Sequence, residues 1–304
     1  MKKILFMAAL AATVMSSCSN DDDFANASSV TNSNEIAFQT TNPQGATTRA
    51  VVESLSDFYV TAVTQDKDAY IQHHLVSLSG GTFQSQTAKL YWPTSGTLNF
   101  YAINDDQPIT IVDGIPQYTF SAIDGDKDIV AALRTGTSKM SVVPLTFNHI
   151  LTRVGFKVKS TDSNLVIKLK SITMNASNSG TYIFGSSTGA SGTWKSGSGF
   201  NGYSWTKSLP YEINSTQTEY ASEYLNLMPN SDGIAINVEY EVYQNGIKIA
   251  DYTGSNCRGV ELSNSWKPSQ VINYVLSIGA SEDSFKFTST VNSWDSETNT
   301  GYTF

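Results

Sequence analysis

The side chains of this 304-residue chain that could do chemistry are three histidines, two cysteines and a few carboxylate clusters. His73 and His74 are adjacent, and neighbours on a strand point to opposite faces, so the two cannot easily share one metal ion. His149 stands among apolar neighbours in Pro144-Leu-Thr-Phe-Asn-His-Ile-Leu-Thr-Arg153, the setting of a hydrogen-bonded packing histidine rather than a catalytic base. Asp105 with Asp106, and Asp124, Asp126 and Asp128, are clusters of the kind calcium takes. No carboxylate closes the second loop between Arg134 and Lys139, so it reads as a solvated turn. Three histidines and Cys257 make a poor structural zinc set. There is no nucleotide-binding glycine loop, nucleophile elbow or metal-binding helix motif, and no acid–base pair stands out. We expect no cofactor, no metal and no enzymatic activity. Trp194, Tyr203 and Trp205 lie in a Gly-, Ser- and Thr-rich stretch, 177–208, and carry a different chemistry. Their faces either pack a long hairpin, the reading we favour, or stack on sugar rings in a glycan-binding surface protein.

Cys18 ends a segment in which Lys2 and Lys3 precede an apolar run, Ile4–Val14, and the small approach Met15-Ser-Ser17. This order reads as an export signal, and the run is short of the ~20 residues that a membrane-spanning helix needs. It resembles the signals of bacterial lipoproteins, in which this thiol takes a diacylglyceryl group and becomes the first mature residue. It departs from them at the position where leucine is usual, which Val14 or Met15 occupies. The resemblance implies removal of 1–17 and a lipid tether at Cys18 to the outer membrane. Residues 19–34 have little apolar content and read as a spacer. Within it, Asp21–Asp23 resemble the surface-export signals of Bacteroidetes lipoproteins, with a solvated linker as the other reading.

The 287 residues that remain (304 minus 17) suffice for two ordinary domains, the reading we favour, or one large β domain. Only 15% of the chain is charged, and the formal net charge of −8 becomes −10 without Lys2 and Lys3, which argues against a nucleic-acid partner. With Cys18 acylated, Cys257 has no partner for an internal disulfide.

The elements that must position these groups repeat with a period of two. Phe58, Val60 and Ala62, then Leu98, Phe100 and Ala102, then Val154, Phe156 and Val158 against Lys157 and Lys159, are alternations with one dry and one wet face. Leu165, Ile167 and Leu169 continue it, and Ile236–Val242 runs into Asn245-Gly246, a hairpin signal. Glu35–Thr40, Val271–Ile278 and Phe285–Val291 are further strand candidates. Helical spacing occurs only in short possibilities near Gln65–His74 and Glu223–Leu227. The expectation is an all-β fold of sandwich type. Pro144 after a polar region places a domain boundary near 143, giving a segment 18–50, a first domain 51–143 and a second domain 144–304.

The stretch Leu145-Thr-Phe-Asn-His-Ile-Leu-Thr-Arg153-Val-Gly-Phe-Lys resembles the entry to the C-terminal domain of Bacteroidetes fimbrillin-family proteins, the type V pilins and their relatives. Leu90-Tyr-Trp-Pro93 with Leu98-Asn-Phe-Tyr-Ala102 is similar to their N-terminal-domain strands. Trp266-Lys-Pro268, Tyr274–Ile278 and Val291-Asn-Ser-Trp294 are similar to their closing segment. The resemblance implies two tandem transthyretin-like β-sandwiches and a structural subunit (stalk, anchor or tip) of a cell-surface fimbrium that supports adhesion. Its partners would be other fimbrial subunits, with host or bacterial surface ligands beyond them.

The resemblance also implies a maturation step. A protease would cut between Arg49 and Ala50, the strand Glu35–Thr40 with inward Ile36 and Phe38 would leave, and another subunit's extended segment would fill the groove by strand addition. Candidate donor residues are Phe285, Phe287 and Val291, and Tyr302 and Phe304 in a tail that is short and otherwise polar.

Overall fold

A computed structural model describes residues 34–41, 55–121, 123, 125–205, 208–229, 234–262, 265–281 and 285–294. The regular elements are strands, with one 3-10 turn at Gly254–Asn256 among the described residues, so the all-β expectation is met. The first half supplies β1 (Phe38–Thr41), β2 (Asp57–Thr64), β3 (Ala69–Ser79), β4 (Thr82–Ser85), β5 (Thr97–Ile103), β6 (Thr110–Val112), β7 (Ile115–Phe120), β8 (Val130–Thr137), β9 (Val143–Thr146) and β10 (Asn148–His149). The second half supplies β11 (Thr152–Ser160), β12 (Leu165–Ser177), β13 (Gly180–Ile183), β14 (Thr193–Ser196), β15 (Phe200–Ser204), β16 (Tyr211–Ile213), β17 (Glu219–Ala221) and β18 (Leu225–Leu227). It ends with β19 (Ile234–Gln244), β20 (Ile247–Tyr252), β21 (Arg258–Leu262), β22 (Gln270–Ile278) and β23 (Lys286–Ser293). The two stretches with short helical possibilities are strands, β3 and β18. Their ladders to β2 and β11 take over the backbone groups that a helix would have paired internally.

An eight-stranded sheet runs β10-β8-β5-β2-β3-β4-β1-β9. Its two end strands are neighbours in sequence, separated by Phe147 alone, so the stretch 143–149 switches from one end of the sheet to the other and closes it on itself. The interior is the cluster of Phe58, Val60, Val76, Leu98, Phe100, Val143, Leu145 and Phe147. β5 and β8 are buried on both faces, which is why they read Phe-Tyr-Ala-Ile and Val-Ala-Ala-Leu without polar alternation. Their outer faces, with Tyr101, Ile103, Ala131 and Leu133, meet a small sheet of order β14-β13-β7-β6.

That small sheet is shared. β6 and β7 come from the first half, whereas β13 and β14 come from the Gly- and Ser-rich stretch of the second, with Gly180 opposite Phe120 and Tyr182 opposite Tyr118. The rest of the second half is a sandwich of β17-β11-β22-β23 and β15-β12-β19-β20, with Phe156, Ile167, Ile172, Trp205, Val238 and Tyr274 between them. A bulge between Leu169 and Ser171 shifts the phase of β12. The inward set changes there from Leu165, Ile167 and Leu169 to Ile172, Met174 and Ala176. The β19–β20 turn holds Asn245 at φ 52° and Gly246 at φ 78°, as a type I′ hairpin requires. The outer face of this sheet is wet and laced by Lys168–Glu212, Lys170–Glu241 and Lys248–Asp251 pairs at 3.1, 3.2 and 2.7 Å.

Candidate functional site: the first strand and its groove

The segment 34–41 lies in a slot whose two walls come from distant parts of the chain. At its start, Ile36 N–H donates to the Leu90 carbonyl at 2.8 Å and Trp92 N–H donates to the Asn34 carbonyl at 2.9 Å. Further along, β1 runs parallel to β9 in the register Phe38–Val143 to Thr41–Thr146, and antiparallel to β4 with Phe38 opposite Phe83. Val143 N–H donates to the Ala37 carbonyl at 2.8 Å. Among the described residues β1 is the one strand that joins β4 to β9, so it supplies the last rung that closes the first sheet.

Alternation places Ile36 and Phe38 inward, each 5% exposed. The Phe38 ring meets those of Phe58 and Phe100 edge-on at 5.9 and 5.8 Å, and Phe58 in turn touches Phe83 and Phe147 at 5.3 and 5.2 Å. Burying two such side chains stabilises the docked segment by roughly 1.5–3 kcal/mol each. On the wet side Lys89 Nζ lies 2.8 Å from Glu35, whose hydrogen bond and charge raise the lysine above its ordinary pKa. The slot is therefore apolar inside, satisfied along both backbone edges and pinned by one surface ion pair. Once emptied it would present unpaired N–H and C=O groups beside bare aromatic rings, which is the demand that an added strand meets. That Phe83, Leu90–Trp92 and Val143–Thr146 wall one slot is not legible in the sequence, because ladder partners so far apart leave no local pattern.

The other candidate residues fall elsewhere. Cys18, Asp21–Asp23, Arg49, Ala50, Asp124, Tyr302 and Phe304 lie outside the described residues. Phe287 and Val291 belong to the last strand, which is paired along its length with β22, and Phe285 directly precedes it. Phe287 stacks on Tyr274 at 5.0 Å, Phe285 on Tyr240 at 6.1 Å, and Val291 is exposed. Trp205 is fully buried, with its indole N–H 3.3 Å from the Val154 carbonyl, and Tyr203 is buried with its hydroxyl donating to Ile123 O at 2.8 Å. Neither has a free ring face on which a sugar could stack. Trp194 is part-buried against Phe120 and Tyr182, and donates to the Ile150 carbonyl at 2.6 Å. These three do not converge on one surface: Trp194 and Tyr203 reach across to the first half, whereas Trp205 lies in the core of the second.

The polar candidates also have structural partners. His73, at φ 42°, stacks on Tyr59 at 4.4 Å, while His74 bonds Ser85 at 2.6 Å and is pushed below its ordinary pKa by burial. Asp105 is buried and receives the Tyr118 hydroxyl and the Lys127 ammonium. Burial still raises Asp105 and lowers Lys127, so desolvation outweighs the attraction that their contact suggests. Asp128 accepts from His149 Nδ1 at 3.0 Å. Among the described residues no group of three His, Cys, Asp or Glu side chains is placed to hold a metal ion.

A family model described as fimbrillin-like matches residues 29–294. The fold is similar to a fimbrial protein from Bacteroides vulgatus, at a TM-score of 0.61 and 15% identity, over 86% of this chain and 99% of that one. It is also similar to a "putative cell adhesion protein" from Bacteroides uniformis, at a TM-score of 0.52 and 14% identity, over 86% and 99% of the two chains. At these identities the likeness is one of fold. No curated protein sequence matches the chain.

Proposed function

This chain belongs to the fimbrillin-like family, and from that membership we propose that it is a structural subunit of a cell-surface fimbrium, assembled by strand exchange at the slot of β1. The observation that carries this reading is the position of β1 as the single link between β4 and β9 among the described residues. Loss of such a strand opens the sheet along one line, and leaves the Phe58, Phe83 and Phe100 rings as a ready lining for another subunit's strand. In this scheme the chain is exported as a lipoprotein acylated at Cys18, anchored in the outer membrane and cut after Arg49, so that the lipid and the first strand leave together. We place the division between two transthyretin-like units at 150–151, because β9 and β10 pair within the first sheet and β11 begins the second. The donor is better sought beyond Trp294, where Tyr302 and Phe304 alternate, since donating β23 would break its whole ladder to β22. A structural role needs no paired acid and base, and none is invoked.

The experiment is mass analysis of subunits recovered from surface fimbriae. Subunits that begin at Ala50 support the scheme, whereas an acylated, uncut monomer at the surface overturns it.

A further inference from the structure

The strand that walls the slot also leads to the far end of the chain. β9 has no ladder partner other than β1 among the described residues, and Phe147 and β10 follow it directly. His149, at the end of that stretch, is buried with Nδ1 3.0 Å from the Asp128 carboxylate, and its carbonyl accepts from Ser269 Oγ at 2.6 Å. Its ring lies flat on that of Trp294, with centroids 3.9 Å apart and planes at 7°. Trp294 directly follows β23. Its N–H donates to the Ser269 carbonyl at 2.9 Å, and the Arg153 guanidinium sits 5.5 Å from its ring. The root of the C-terminal tail is thus clamped by a residue from the stretch that holds the first strand.

We propose that residues 143–149 couple occupancy of the β1 slot to the clamp on Trp294, so that departure of the first strand loosens the root of the tail. The path is a chain of packed rings. Phe38 meets Phe58 at 5.9 Å, Phe58 meets Phe147 at 5.2 Å, and Phe147 is two residues from His149. Removing Phe38 leaves a void in a close-packed core, and neighbouring rings relax part of the way into such a void. Phe147 lies between β9, whose ladder is to the first strand itself, and β10, so it is the ring placed to follow, and it draws His149 from beneath Trp294. A cavity of 260 Å³ lined by Ala132, Asn148, His149, Tyr182, Lys267 and Ser269 gives the stretch room to rearrange. Any use of this coupling in assembly rests on the strand-exchange reading. The coupling itself is a property of the single chain.

Hydrogen exchange of the purified full chain tests it. Phe38→Ala should raise exchange across 286–294 by roughly fivefold or more, the low end of coupling between sites, and leave 234–252 unchanged. His149→Ala should do the same, and the two substitutions together should add little. Unchanged exchange at 286–294 in a Phe38→Ala chain whose 82–92 segment has loosened overturns the coupling, as does full additivity. Because coupling is reciprocal, Trp294→Ala, at a part-exposed site, should speed exchange in 34–41, and no change there is equally fatal. Recovery of uncut chains from cells would sink the assembly scheme but leave this exchange result standing.

Discussion

The Phe38 ring meets the Phe58 ring edge-on, with centroids 5.9 Å apart and planes at 89°. The strand that closes the first sheet thereby also contributes to its interior. Phe38→Ala should cost about 3–5 kcal/mol in equilibrium unfolding, the range of a buried ring lost from a core. A cost under about 0.5 kcal/mol, the size of an ordinary surface change, would mean that the first sheet does not depend on the strand.

Tyr203 reaches from the second half to the Ile123 carbonyl of the first at 2.8 Å, inside the protein. Tyr203→Phe keeps the ring and removes the donor, and should lower stability by about 1 kcal/mol. Denaturant titration reads the change, and an unaltered midpoint would assign the hydroxyl no part in joining the halves.

Asp105 gives a pH signature. Burial raises its carboxyl above the ordinary value of 3.8, so over the window above 3.8 the folded state holds a proton that the unfolded state has released. Its contribution is complete below the unfolded pKa and is lost as pH rises through the folded one. Asp105→Asn can still accept from Tyr118 and has no such loss. Its melting temperature should match or exceed that of the parent at neutral pH, and the advantage should shrink toward pH 4. A variant that is less stable at every pH would show that the Lys127 contact outweighs the burial.

A Cβ built on Gly155 would come within 2.7 Å of the Tyr224 ring, which sits under the Arg153 guanidinium and bonds Asn273 at 2.6 Å. Gly155→Ala should cost about 1–3 kcal/mol by overpacking. The cost should largely vanish in a Tyr224→Ala background, and a double-mutant cycle with no interaction would exclude the clash.

The strands legible in the sequence are those with one dry face, such as Val154, Phe156 and Val158 of β11, where burial itself writes the alternation. Asn245-Gly246 was legible because few other residues adopt two successive positive φ values. The parallel pairing of β1 with β9 was not, since nothing local in Phe38–Thr41 names Val143–Thr146 as its neighbour. The phase shift of β12 at Ser171 was hidden because both of its halves alternate. The stretch 177–208 shows aromatics without a period, so its sequence cannot tell which body the rings pack on. Trp194 and Tyr182 pack on the first half, whereas Trp205 packs on Phe156 of the second. The slot itself was half legible. Ile36 and Phe38 announce an inward face, but the rings that Phe38 meets come from β2 and β5, far along the chain.

The crossing of β13 onto β7 bears on how such a chain carries load. Tension between the halves is not borne by the backbone at 150–151 alone, since the pairs from Gly180–Phe120 to Ile183–Gln117 span the same joint. Those rungs must yield together before the halves can part, so a pull on one end reaches the other through a braced connection, not a tether.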